Sequence, residues 1–243
     1  MTERDLFIPA GGLVVSCQSP EGNPVQGPQM MAAFARAAEH GGAVAIRANG
    51  PADVAAIRAA TALPVIGINK TGPRDGVYIT PTPAAAAEVV AAGAAMVAVD
   101  GTDRPRPQGW TLPALVEVLH KEFGVPVMAD CDSMTSATYA AEAGCDVLAT
   151  TLSGYTNDLA APHGADHTDH HAEVPGEPDL ELLAAMAAGF GLPVVAEGRY
   201  RTPAQVSAAF AAGAHAVVVG TAITNPAELT RSFVAATPAP PKP

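Results

Sequence analysis

Eight short, apolar, β-rich runs recur along this 243-residue chain, each bounded by Gly or Pro, and no other feature restricts the fold as much. They are Leu13 to Cys17, Ala43 to Arg47, Val65 to Lys70, Met96 to Asp100, Val127 to Asp130, Val147 to Thr150, Val194 to Glu197 and Ala216 to Gly220. Between them lie Ala-rich stretches with apolar residues at helical spacing, such as Pro83 to Ala92, Ser136 to Ala143 and Pro203 to Ala212. Several of these end on glycine, as in His40-Gly41-Gly42-Ala43, Ala92-Gly93-Ala94, Ala143-Gly144-Cys145 and Ala212-Gly213-Ala214. Glycine accepts the left-handed conformation that closes a helix. Others run into Leu-Pro-Val or Val-Pro-Val, where proline stops the helix and opens a strand. Eight strand and helix units on a chain of this length predict the α/β class and a single-domain (β/α)8 TIM barrel over residues 1–236.

A parallel strand buried on both faces reads as a nearly unbroken apolar run, so a charge at its carboxyl end stands out. Lys70, Asp130 and Glu197 are three such charges. In a barrel the carboxyl ends converge on one mouth, which here would gather Gln18, Arg47, Lys70, Asp130, Thr150, Glu197 and Arg199. Desolvation and Arg47 would lower the pKa of Lys70 from about 10.4 and make it a usable base. Glu197, partly buried, could exchange a proton as its partner. A buried ion network joining Lys70 to Glu197 or Asp130, or a salt bridge from Glu197 to Arg199 or Arg201, is the structural alternative. Gly198 and Arg199 follow strand seven, and Gly220 and Thr221 follow strand eight. Loops there commonly cradle phosphate with exposed backbone amides, although a Gly-Thr turn also begins ordinary helices.

Composition narrows the classes of function. With 49% hydrophobic and 15% charged residues the chain is not a disordered protein. A net charge of −11 argues against nucleic acid and anionic membranes as partners. Met1-Thr2-Glu3-Arg4-Asp5 lacks the basic and apolar regions of a signal peptide, and a cytoplasmic location is expected. Cys17, Cys131 and Cys145 lack zinc-like spacing and read as buried free thiols. The strand rhythm is broken by an extended segment at about 153–178, expected on the catalytic face. Its His163, His167, His170 and His171 lack carboxylate or Cys partners at ligand spacing, so an exposed cluster is expected and no metal. The proline-rich end, residues 237–243, is expected to be disordered.

Several ordered phrases carry a family resemblance: Val14-Val15-Ser16-Cys17-Gln18, Gly41-Gly42-Ala43-Val44-Ala45-Ile46-Arg47-Ala48, Ile66-Gly67-Ile68-Asn69-Lys70 and Tyr78-Ile79-Thr80-Pro81-Thr82. Met128-Ala129-Asp130-Cys131, Thr150-Thr151-Leu152-Ser153-Gly154-Tyr155-Thr156, Ala196-Glu197-Gly198-Arg199 and Val218-Val219-Gly220-Thr221-Ala222-Ile223-Thr224 continue it. From about Gly11 to Phe233 the chain resembles the N-acetylmannosamine-6-phosphate 2-epimerase family of bacterial sialic acid and amino-sugar catabolism. The resemblance implies a cofactor-independent isomerase of a phosphorylated amino sugar, without metal, and leans toward a homodimer. It assigns catalysis to Lys70 and Glu197, sugar contacts to Gln18, Arg47 and Asp130, and the phosphate cradle to Gly198, Arg199, Gly220 and Thr221; Thr150 and Tyr155 are expected to bind the substrate as well. Two positions depart from the family pattern, Asn225 and Thr71, where arginine is usual. Two other readings fit the same residues: a Schiff-base, aldolase-like barrel using Lys70 as nucleophile, and a non-catalytic sugar-phosphate-binding barrel.

Overall fold

The computed structural model describes residues 6–19, 21–72, 76–156 and 176–238. Eight parallel strands close into a barrel in chain order: β1 Gly12–Cys17, β2 Ala45–Asn49, β3 Val65–Ile68, β4 Met96–Asp100, β5 Val127–Asp130, β6 Val147–Ala149, β7 Val194–Glu197 and β8 Ala216–Val219, with β8 pairing back onto β1. Around it run α1 Pro28–His40, α2 Pro51–Ala60, α3 Pro83–Ala91, α4 Leu112–Val118, α5 Met134–Glu142, α6 Leu180–Gly189 and α7 Pro203–Ala211. Two helices end the fold, the one-turn α8 Thr221–Thr224 and α9 Pro226–Ala235.

The helices begin where local chemistry supplies the missing acceptors. Thr82, Thr111 and Thr202 accept from backbone amides at the starts of α3, α4 and α7, each followed within two residues by a proline. Ser133 with Ser136, and Thr202 with Gln205, form reciprocal caps. Gly42, Gly93, Gly144 and Gly213 each close a helix at positive φ, between 87° and 102°. At Gly67 the reason is contact: a Cβ there would stand 2.7 Å from that of Ala94 and 3.1 Å from that of Val89, so glycine lets α3 lie against β3.

Alternation along the strands divides the apolar residues between two cores. Val14, Ala45, Ile66, Met96, Met128, Val147, Val195 and Ala216 fill the barrel interior. Their neighbours Val15, Ile46, Val65, Val97, Val127, Leu148, Val194 and Val217 pack outward under the helices. Cys17, Cys131 and Cys145 are buried free thiols in that outer layer. Burial, helped at Cys17 by the Asp53 charge and at Cys145 by the Asp146 charge, pushes the Cys17 and Cys145 thiols up to about 12 and keeps them inert.

Five strands differ in their bounds from the apolar runs. β1 begins one residue early, at Gly12. β2 lies two residues later, so Arg47 is its middle residue rather than its end. β3 stops at Ile68, because the chain folds back and Lys70 pairs antiparallel with Ile79. Thr71 N–H donates to Tyr78 O and Thr80 N–H to Asn69 O, while Tyr78 and Ile79 join the inner core. β6 and β8 each end one residue early, at Ala149 and Val219. Of the segment at 153–178, residues 157–175 lie outside the described residues, and with them His163, His167, His170 and His171. In the proline-rich end Thr237 and Pro238 follow α9, and 239–243 lie outside the described residues. Among the described residues no helix is long and apolar enough to cross a membrane.

Candidate active site

The inward alternation, continued past the apolar layer, delivers polar side chains to the carboxyl-terminal mouth. Ser16 and Gln18 continue from Val14, Arg47 from Ala45, Lys70 from Ile66 and Ile68, Thr151 from Val147 and Ala149, Glu197 from Val195, and Gly220 from Val218. These residues line one cavity of about 170 Å³, together with Tyr155, Gly198, Arg199 and Thr221. Asp130 continues from Met128 but lies beneath the cavity, fully buried.

Arg47 organises the floor. Its Nη1 and Nη2 donate to Asp130 Oδ1 and Oδ2 at 3.0 and 2.6 Å, a two-pronged contact, and Nη1 reaches Glu197 Oε2 at 3.1 Å. Only 1% of the Arg47 side chain and 13% of the Glu197 side chain is exposed, so these charges act through a medium of low polarity. Desolvation opposes the Arg47 charge, yet Asp130 and Glu197 outweigh it and hold the guanidinium pKa above the ordinary arginine value. For Glu197 desolvation wins: burial raises its pKa, Asp130 adds to the rise, and Arg47 and Lys70 pull against it. A carboxyl held above its usual range can keep a proton to donate.

Lys70 is aimed by its neighbours. Asn69 Nδ2 donates outward to Ala85 O at 3.0 Å and to Glu88 Oε2 at 2.8 Å, which turns the next side chain inward. The Lys70 amide donates to Asn49 Oδ1 at 2.9 Å, tying the residue to the end of β2. Its ammonium is near enough for its charge to act on Glu197.

The sequence-named residues fall into three groups. Lys70, Glu197, Arg47, Gln18 and Tyr155 share the cavity, and so do Gly198, Arg199, Gly220 and Thr221. Gln18 donates from Nε2 to Ser16 Oγ at 2.8 Å, and its buried Oε1 has no partner among the described residues. Asp130 is fully buried behind Arg47 and Thr151 and does not line the cavity. Thr150 is not on the wall: its hydroxyl accepts from Glu197 N–H at 3.0 Å and donates to Glu197 O at 2.9 Å, fastening β6 to the end of β7. Its neighbour Thr151, not singled out by sequence, faces the cavity instead and touches both Asp130 Oδ1 at 2.7 Å and Glu197 Oε2 at 3.1 Å. Counting by twos from Val147 is the signal that identifies Thr151.

At the rim, the backbone N–H groups of Gly198, Arg199, Thr221 and Ala222 donate to no acceptor among the described residues. A Cβ on Gly220 would stand 3.3 Å from that of Ser16, so glycine keeps this approach open. Arg199, at φ 62°, spends its guanidinium on carbonyls: Nε donates to Glu177 O at 2.7 Å and Nη1 to Ser153 O at 2.6 Å, with the group 6.0 Å from the Tyr155 ring centre. Asn225 caps α9, accepting from Glu228 N–H at 3.3 Å and from Asn23 Nδ2 at 3.4 Å. Thr71 is exposed. No group of three or more His, Cys, Asp or Glu among the described residues is placed to hold a metal ion.

The pattern of the family described as "Putative N-acetylmannosamine-6-phosphate epimerase" (NanE) matches residues 31–239. A Cutibacterium acnes protein named "Putative N-acetylmannosamine-6-phosphate 2-epimerase" is 47% identical over 234 residues, covering 96% of each chain. The solved N-acetylmannosamine-6-phosphate 2-epimerase from Clostridium perfringens superposes with a TM-score of 0.85 at 35% identity, covering 98% of each chain. A Pyrococcus furiosus thiamine phosphate pyrophosphorylase, at 17% identity and a TM-score of 0.55 over 88% of this chain and 87% of its own, shares the fold alone. On the match across residues 31–239 and the 47% identity, the chain belongs to the N-acetylmannosamine-6-phosphate epimerase family.

Proposed function

We propose that this isomerase interconverts N-acetylmannosamine 6-phosphate and N-acetylglucosamine 6-phosphate by moving one proton at C2. The observation that carries the reading is a lysine and a raised-pKa glutamate lining one cavity, in a chain of an epimerase family. In the open-chain aldehyde the carbonyl acidifies the C2 proton, and the electron pair left by its removal spreads onto oxygen as an enolate. Lys70 takes the proton from one face and Glu197 returns one to the other. The pair needs only one proton between its members: neutral amine with carboxylic acid before the step, ammonium with carboxylate after it. Arg47 and the Ser16–Gln18 edge supply donors for the developing oxyanion and the acylamino group. The amides at Gly198, Arg199, Thr221 and Ala222, which meet no acceptor among the described residues, receive the 6-phosphate, so that its charge is held by backbone.

Proton NMR in D2O with each 6-phosphorylated amino sugar tests the reading. The wild type converts one epimer to the other with loss of the C2 proton signal, and Lys70→Ala and Glu197→Ala each lower turnover by roughly 10²- to 10⁴-fold. Wild-type turnover and deuterium exchange in both variants would rule the assignment out, and borohydride trapping of substrate on Lys70 would point to a Schiff base instead.

The same reading places the enzyme in the cytoplasm, in sialic acid breakdown, and as a homodimer. Support for the dimer comes from α8 and α9, where Ile223, Leu229, Phe233 and Val234 are exposed and α9 buries no residue. Sedimentation of a Leu229→Glu, Phe233→Glu variant as a monomer would support it, and an unchanged sedimentation coefficient would exclude this face.

A further inference from the structure

Four atoms at the floor of the cavity close a ring of contacts. Arg47 Nη1 meets Asp130 Oδ1 at 3.0 Å, Asp130 Oδ1 meets Thr151 Oγ at 2.7 Å, Thr151 Oγ meets Glu197 Oε2 at 3.1 Å, and Glu197 Oε2 returns to Arg47 Nη1 at 3.1 Å. The guanidinium nitrogen carries two protons and serves both carboxylates, whereas the hydroxyl carries one and can otherwise only accept. With both carboxylates charged, Thr151 satisfies one and turns a lone pair toward the other anionic oxygen. A proton on Glu197 removes the mismatch, since Glu197 O–H then donates to Thr151 and Thr151 donates to Asp130. Asp130 is the wrong place for that proton: it already receives both guanidinium prongs, at 3.0 and 2.6 Å, which stabilise its charged form.

We propose that Thr151 is a positioning residue for the reaction, its hydroxyl accepting the Glu197 proton while donating its own to Asp130, so that the resting site holds Glu197 as a carboxylic acid. This rests on the C2-epimerase reading above. When Glu197 acts, its O–H bond breaks and leaves the electron pair on the carboxylate, while the enolate's pair forms the new C2–H bond. The Thr151 proton stays on its own oxygen and swings from Asp130 to the newly charged Glu197. Asp130 keeps its two bonds to Arg47. One hydroxyl thus accepts before the transfer and donates after it, which neither a methyl group nor a carboxylate could do. The charged and titratable groups facing Glu197 are Arg47 from β2, Lys70 beyond β3 and Asp130 from β5, with the Tyr78 phenol acting on Arg47.

The test compares Thr151→Val and Thr151→Ser with wild type. Thr151→Val should lower kcat about ten- to hundredfold with KM within about threefold, as expected for losing one hydrogen bond to a charged group, and Thr151→Ser should restore most of it. The limb of the pH profile that reports Glu197 should move to lower pH in Thr151→Val, where the protonated carboxyl loses its acceptor, and return in Thr151→Ser. A second measurement needs no turnover. The infrared difference spectrum of substrate-free wild type minus Glu197→Gln should show a carboxylic acid C=O band, displaced in Thr151→Val. An unchanged kcat and pH profile, a raised KM alone, or carboxylate bands only would overturn the inference. Failure of wild type to exchange the C2 proton would instead overturn the epimerase reading, and the infrared band would still decide the Glu197 proton.

Discussion

The floor and the rim of the cavity hold anions by opposite means. On the floor, Arg47 and Thr151 are committed to Asp130 and Glu197, and, Arg47 Nε apart, these polar atoms satisfy one another inside the protein. On the rim, backbone amides of Gly198, Arg199, Thr221 and Ala222 are left without acceptors among the described residues. A closed network fixes geometry and protonation before substrate arrives, while open donors gain their partners only on binding. Chemistry therefore belongs to the floor and recognition to the rim, and substitutions should separate the two.

The largest expected effect on stability is on the floor. Arg47→Ala or Asp130→Ala leaves an uncompensated buried charge and should destabilise the fold by about 3–5 kcal/mol, read from urea unfolding. A much smaller loss would mean that the floor is wetter than its 0–1% exposure indicates. The same region carries a pH signature. Glu197 binds its proton more tightly folded than unfolded, so its contribution is fully present below the ordinary carboxyl value of 4.5 and is lost as pH rises toward its raised value. Wild-type stability minus that of Glu197→Gln should therefore fall across that window, and a rising difference would contradict the burial argument. The rim gives a smaller and opposite result. Asn225→Arg adds a cation near the cradle and removes the α9 cap; KM for the 6-phosphate should fall about tenfold while stability drops by about 1 kcal/mol. An unchanged KM would place the phosphate elsewhere.

How much of this was legible in the sequence depends on where each interaction is encoded. Met96–Asp100, Val127–Asp130 and Val194–Glu197 begin and end as their apolar runs do, because each run stops at a charge that also ends the strand. β3 could not be read that way, since its end is set by a pairing with Ile79, and apolar content alone does not register the fold-back. The choice of Thr150 over Thr151 has a similar origin. Both adjoin the same run, and only the alternation set by Val147 and Ala149 distinguishes the residue that fastens β7 from the one that faces the cavity. Arg199 was legible as a cation after strand seven, but its acceptors, Ser153 and Glu177, lie far away along the chain and leave no local mark.

That arginine also works as a clasp. By gripping Ser153 O and Glu177 O at once, it draws together the two points from which the intervening chain departs and returns. Because this grip sits two residues from Glu197, the side chain that holds both carbonyls also braces the end of β7 beside the mouth, so the proton-bearing carboxyl inherits its steadiness from contacts outside the barrel wall.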